Sequence, residues 1–263
     1  MQIKESIRRN FARRASSYDR QAAVQRFMGE ELLALSEAAL ARARRILEIG
    51  CGTGFLTQKL RQANPGAWLV AVDLDAALIN QTRQRIGPDP QVAYVVADGE
   101  AWGPGGFDLI IANSTFQWFT SPRETLEAYF HRLNPGGVLA FATMGPGTFK
   151  ELGTSLKEAT YAVYSANSRK IAAADFLGQE DWTTLLKQAG FSHLQVSQQV
   201  LTLNFPTVIK FLRAIQATGA TNPHPQISSP RLLKALIAAY QTTFGQNGHI
   251  PATYEIIWAL ARK

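Results

Sequence analysis

The chain has 263 residues, 46% of them hydrophobic and 18% charged, an ordinary balance for a globular protein with a sizeable core, built as one domain with insertions or one domain plus a small cap. Its 27 basic residues outnumber 20 acidic ones, for a net charge of +7, which favours an acidic partner: nucleic acid, anionic lipid or an acidic carrier protein. Apolar runs such as Val138–Met144 fall far short of the roughly 20 residues a membrane span needs, the N-terminus lacks an apolar leader core, and one cysteine cannot form an internal disulfide, so the expectation is a soluble cytoplasmic protein.

In chain order, residues 3–40 read as helical, with Ile3, Ile7, Phe11 and Ala15 at spacing four and a second pattern from about Arg20 to Ala41. Arg44–Gly50 is a short apolar strand and Phe55–Gln62 a helix, broken by Asn64–Gly66. Ala67–Asp73 is a strand, Ala76–Ile86 a helix, Val92–Asp98 and Phe107–Asn113 two more strands. Arg123–Leu133 is helical, and the turn Asn134–Gly137 leads into the strand Val138–Met144. Alternation of this kind implies a parallel sheet with helices on both faces. Residues 145–178 carry a glycine-rich turn and a polar, alanine-rich stretch. Glu180–Phe191 resumes a helix and His193–Phe205 a strand; Pro206–Thr218 and Pro230–Phe244 are helical, and the segment Ala252–Arg262 closes the chain as a strand. The domain reading is an N-terminal helical cap at 1–43 and a sheet domain at 44–263 with cap insertions at 145–178 and 206–247.

The segment Ile46–Leu56, ILEIGCGTGFL, places Gly50, Gly52 and Gly54 in the turn after the first strand of the sheet. Ligands of open parallel sheets bind outside the carboxyl ends of the strands, and glycine lets a ligand approach bare backbone. A purely structural strand-to-helix turn would look the same. A dinucleotide fingerprint would need glycine at position 55, where Phe55 stands, and no Gly-Lys-Ser/Thr follows for a nucleotide phosphate loop. Asp73 ends the second strand, where a carboxylate can accept ribose hydroxyls. Asp98 ends the third and can accept from an adenine amine, with the Gly99 backbone as donor. Glu48 can hold a ligand ammonium, directly or through water. Any one of these acids could instead cap the next helix; together they point to an adenosine ligand without a pyrophosphate.

Glu48–Gly54 (EIGCGTG), Val72–Asp75 (VDLD, with Leu74) and Ala97–Glu100 (ADGE) resemble the motifs of class I S-adenosylmethionine-dependent methyltransferases, over roughly Arg44 to Met144. The resemblance implies a Rossmann-like α/β fold: a seven-stranded, mostly parallel sheet with an antiparallel last strand, plus a mainly helical cap from the N-terminus and later insertions. Further segments, Phe11–Gln25, Ala112–Phe119, Gly145–Leu152, Phe211–Pro223 and Pro251–Ala259, are similar to the malonyl-acyl-carrier-protein O-methyltransferases of biotin synthesis. That family esterifies the free carboxylate of a malonyl thioester. The nucleophile is already ionised, so no general base is required, and proximity and orientation carry the rate.

The resemblance implies S-adenosyl-L-methionine as cofactor, held by Glu48, Gly50, Gly52, Gly54, Asp73, Leu74, Asp98, Gly99 and Asn113. Tyr18 would fold over it, Gln117 and Trp118 would face the reaction centre, and Arg213, ahead of Lys150, would receive the carboxylate, since guanidinium matches its geometry. A solvated Arg213 and core-packed Tyr18 and Trp118 are the plain structural readings. No histidine is given a catalytic role, and four scattered histidines with Cys51 make no metal cluster. Residues 1–45 hold ten basic against five acidic residues, a rim suited to an acidic acyl carrier protein; malonyl-coenzyme A is the other possible carrier. Nucleic acid and membrane are not expected partners. Rivals are an O-methyltransferase of a free acid such as trans-aconitate, a quinone C-methyltransferase, an RNA methyltransferase, and a non-enzymatic cofactor-binding subunit.

Overall fold

A computed structural model describes residues 22–101, 103–165, 171–217, 227 and 229–263. The chain divides into two units: a sheet unit of Tyr18–Thr143, Gly178–Gln198 and Ile257–Lys263, and a helical unit containing Met144–Leu177 and Gln199–Ile256. The seven strands are β1 (Arg45–Ile49), β2 (Trp68–Asp73), β3 (Val92–Val96), β4 (Phe107–Asn113), β5 (Leu133–Met144), β6 (Ser192–Phe205) and β7 (Ile250–Arg262). Their order in the sheet is β3-β2-β1-β4-β5-β7-β6. Strands β1 to β5 are parallel and the last strand is antiparallel, as expected for a Rossmann-like sheet of this class.

In the sheet unit, helices α1 (Ala23–Arg42), α2 (Phe55–Ala63), α3 (Ala76–Ile86), α4 (Pro122–Arg132) and α6 (Gln179–Gln188) accompany the strands. Leu109, Ile110, Ile111 and Ala112 of β4 are all fully buried. Burial without alternation means that both faces of the strand are covered, which is how a central parallel strand reads in sequence. Helix α3 begins where Asp75 accepts from the backbone N–H groups of Ala77 and Leu78, a side-chain cap. Its bounds match the sequence reading, because cap, apolar spacing and the following Gly87 all agree.

Three differences have physical causes. Helix α1 belongs with the sheet rather than with a separate N-terminal cap: Trp258 Nε1 donates to its Met28 carbonyl at 3.0 Å, and Asn64 Nδ2 donates to the Leu40 and Ala43 carbonyls at its end. The Asn134–Gly137 turn lies inside β5, where the register steps from Phe107↔Leu133 to Leu109↔Val138, so four residues of β5 oppose Asp108 of β4 alone as a bulge. The third is a 15-residue helix, α5 (Lys150–Tyr164), in a stretch where the sequence shows only a turn and polar residues. Leu152, Leu156 and Ala159 form its buried stripe, but Glu151 and Ser155 are buried beside them, which dilutes the apolar period.

The helical unit also contains α7 (Val208–Ala217) and α8 (Pro230–Phe244). Its core is aromatic: Phe149 meets Phe211 and Tyr254 edge-on at 5.4 and 4.9 Å, and Tyr240 donates to the Pro251 carbonyl at 2.8 Å. Two buried carboxylates tie its segments together. Glu151 accepts from the Thr253 backbone N–H at 3.0 Å and from its hydroxyl; Glu255 accepts from the Gly147 N–H.

Candidate cofactor site

The site is built at the carboxyl ends of β2, β1 and β4. The order of these strands reverses on either side of β1, since β2 lies on one flank and β4 on the other; such a switch point opens a crevice. The register pairs Glu48 with Ala71 and with Ile111. Side chains two residues on share a face, so Glu48, Asp73 and Asn113 project from one face of three adjacent strands.

The three loop glycines do different work. The Gly50 and Cys51 N–H groups donate to the Val72 carbonyl at 2.8 and 3.0 Å, folding the loop against β2. Gly50 has φ +71°, and a Cβ there would lie 2.1 Å from Thr115 Oγ1, so its bareness is needed for packing. Gly54 backs onto Thr82, whose Cα would lie 3.0 Å from an added Cβ. Of the three, Gly52, at φ +57°, has no described atom within 4 Å of an added Cβ. Among the described residues nothing there obstructs the approach of a ligand to the backbone. Thr82 holds it from behind, donating to the Gly52 carbonyl at 2.8 Å.

Asp73 accepts from the Gly52 N–H at 2.9 Å and from the Asp75 N–H at 3.0 Å. It shapes the loop with one lone pair on each oxygen and keeps acceptor capacity for hydroxyls. Helix capping falls to Asp75 instead. Burial raises the Asp73 pKa to about 6 against these hydrogen bonds. Leu74 between them is half-buried.

Glu48 is 1% exposed, and neither carboxylate oxygen has a hydrogen-bond partner among the described residues. Burial is the main cause that pushes its pKa up to about 8; the Thr57 hydroxyl and N–H, close by but outside hydrogen-bond geometry, lower it, and the nearby negative charge of Asp73 raises it. A buried carboxylate with no counter-charge takes up a proton. An ammonium placed there would restore its charge. Asn113 is a second buried acceptor on the same face: Oδ1 has no partner among the described residues, while Nδ2 donates to the Gln25 carbonyl of the chain leading through α1 at 2.9 Å. Gly29 of α1 lets that helix close on Asn113, 3.1 Å from where its Cβ would be. Unsatisfied acceptors beside an open backbone fit an amino-acid-bearing nucleoside, and S-adenosylmethionine supplies that ammonium.

Asp98 lies two residues beyond β3, in a turn where its Oδ1 accepts from the Glu100 N–H at 3.1 Å. Gly99 sits tight on Ile49, with 2.5 Å between an added Cβ and Cγ2, and its carbonyl accepts from Tyr129 Oη at 2.9 Å. Glu100 had no assigned role, yet it ties this turn to the next loop by accepting from the Thr120 and Ser121 N–H groups at 2.9 and 2.8 Å. Burial, with Asp73 and Glu48 adding, pushes the Cys51 thiol well up; it is a loop filler, not a nucleophile.

Beyond β4, Ser114 takes φ +55°, a costly conformation for a non-glycine residue, and starts the short 3-10 turn Phe116–Trp118. Phe116 anchors the turn by stacking on Phe141 at 4.1 Å. Gln117 is held at both ends of its amide, donating to the Ser114 carbonyl at 3.0 Å and accepting from Thr143 Oγ1 at 3.0 Å. Its place is thus set by the turn. Arg213 lies in the helical unit, exposed on α7. Tyr18 lies outside the described residues.

Residues 47–139 match a methyltransferase-domain model. A malonyl-[acyl-carrier protein] O-methyltransferase of Brevibacillus brevis is 33% identical over 268 residues, covering 98% of this chain and 96% of its own length. One from Anoxybacillus flavithermus is 36% identical, covering 97% and 96%. The chain belongs to this O-methyltransferase family. A solved S-adenosylmethionine-dependent methyltransferase of Thermotoga maritima superposes with a TM-score of 0.54 at 19% identity, covering 98% of this chain and 99% of its own, which supports the fold. The family likeness extends through the helical unit as well as the cofactor motifs.

Proposed function

We propose that this chain transfers a methyl group from S-adenosyl-L-methionine to the free carboxylate of a malonyl thioester on acyl carrier protein, in the cytoplasm, giving the methyl ester that starts the pimeloyl chain of biotin. The observation that carries the reading is the near-full-length likeness to relatives of that activity, with Glu48 and Gly52 prepared for the cofactor. The cofactor supplies an electrophilic methyl on a sulfonium. Glu48 and Asn113 would hold its amino-acid end, Gly50, Gly52 and Gly54 its passage over the loop, and Asp73, Leu74, Asp98 and Gly99 its adenosine. The substrate carboxylate is its own nucleophile, so the chain's task is to orient it in line and exclude water. Gln117 holds the turn after β4 in place for this, Arg213 receives the carboxylate, and Tyr18 covers the methyl path.

Mass spectrometry after incubation with S-adenosylmethionine tests the reading. A gain of about 14 Da on malonyl-acyl carrier protein is expected. Methylation of trans-aconitate or another free acid with none on the malonyl carrier would move the activity to the free-acid alternative; malonyl-coenzyme A, run alongside, shows whether the carrier is required.

A further inference from the structure

The net charge is not spread over the molecule. From residue 22 onward, the sheet unit holds 13 lysines and arginines against 14 carboxylates and is close to neutral. Segments Met144–Leu177 and Gln199–Ile256 of the helical unit hold eight against four. Two of those four, Glu151 and Glu255, are buried and spent on the backbone of Thr253 and Gly147. Among the described residues the solvent side of this unit therefore shows six cations against Glu158 and Asp175.

Helix α5 arranges them. Lys150, Thr154, Lys157 and Tyr161 follow one another at spacings of four, three and four, which is one helix face, and all four are exposed. Tyr161 is 68% exposed and Tyr164, one turn beyond Tyr161 and two beyond Lys157, is 50% exposed. Tyr164 Oη lies 3.0 Å from Ser229 Oγ, and Ser229 caps α8 by accepting from the Leu232 N–H. The first turns of α8 carry exposed Arg231 and Lys234, three apart on one face. The basic stripe of α5 thus runs onto the start of α8. Lys150, Lys157, Arg231 and Lys234 form no ion pair among the described residues; Glu158, next to Lys157, accepts from Thr243 Oγ1 at 3.3 Å instead.

We infer that this α5–α8 face is the docking surface for the acidic carrier protein that bears the substrate. The inference rests on the function proposed above. A row of cations flanking exposed tyrosines matches an acidic protein surface: the charges steer encounter, and tyrosine supplies contact area with a polar end. A membrane-lying helix would instead show large apolar residues along this face, where α5 offers Lys, Thr, Lys and Tyr.

The test uses the full chain with two substrates, malonyl-acyl carrier protein and malonyl-N-acetylcysteamine, a small thioester without a carrier. Lys157→Glu/Lys234→Glu is expected to lower kcat/KM for the carrier substrate at least tenfold and flatten its salt dependence, while leaving the small thioester within twofold. Lys187→Glu, at an exposed lysine on α6 of the sheet unit, should change neither. If the wild type methylates both substrates but the double variant is unimpaired on the carrier, or if Lys187→Glu impairs it equally, the docking surface is wrong. Binding of phosphatidylglycerol vesicles lost in the double variant, with carrier kinetics untouched, would assign the face to a membrane and also overturn it. No methylation of either thioester by wild type would overturn the proposed function itself, and the partner with it.

Discussion

Both units bury glutamates, and they treat them in opposite ways. In the helical unit Glu151 and Glu255 are 4% and 8% exposed, each accepting from backbone N–H groups more than 100 residues away. In the sheet unit Glu48 is equally buried and has no hydrogen-bond partner among the described residues. A satisfied buried acid holds a fold together; an unsatisfied one is costly unless a ligand completes it. The comparison separates architecture from site without reference to sequence motifs.

The largest expected effect breaks the satisfied side. Glu255→Ala leaves the Gly147 N–H without its acceptor and should cost roughly 2 kcal/mol, read as a fall in denaturant midpoint. Glu48→Gln should cost far less stability, or none, and instead weaken S-adenosylhomocysteine binding; equal destabilisation by both would erase the contrast.

pH sharpens it further. The ligand-free fold keeps a proton on Glu48 to about pH 8, whereas the ordinary value is 4.5. The folded state then binds more protons than the unfolded one between those values, so stability should fall as pH rises from about 5 to 8. Asp73, raised to about 6, adds to the fall at the lower end. An ammonium favours ionised Glu48, so ligand affinity should rise roughly tenfold or more from pH 6 to 8. Glu48→Gln should flatten both profiles, measured by denaturation and calorimetry.

The same logic applies to the glycines, with smaller effects on folding. Gly52→Ala meets open space and only its positive φ, a cost of about 1 kcal/mol, yet should abolish most ligand binding. Gly50→Ala must displace Thr115 and should lose more stability than Gly52→Ala. The smallest effect is expected at Asp75→Ala, about 1 kcal/mol from the lost helix cap, with ligand affinity kept within a few-fold.

Much of the sheet unit was legible because its signals are local. An unbroken apolar run marks β4 and apolar spacing marks α3; the glycine loop with Asp73 and Asp98 points to an adenosine ligand, and the resemblance of their motifs implies the cofactor. The helical unit was less legible. Helix α5 hides behind Glu151 and Ser155, polar residues on its inner face, and Glu151 can be inside only because Thr253 meets it there. Glu100, quoted within its motif, gave no sign that it would hold Thr120 and Ser121.

By itself the sequence determined the order of elements, the glycine loop after the first strand and the overall excess of positive charge, since periodicity, turn chemistry and composition are properties of neighbouring residues or of sums. Only the tertiary structure decided which buried acids are satisfied, that α1 serves the sheet, which glycine is open to a ligand, and that the described sheet unit is neutral while the helical unit is basic. Those outcomes depend on groups brought together across up to 230 residues of chain, as Trp258 is with Met28, and no local pattern encodes such a meeting.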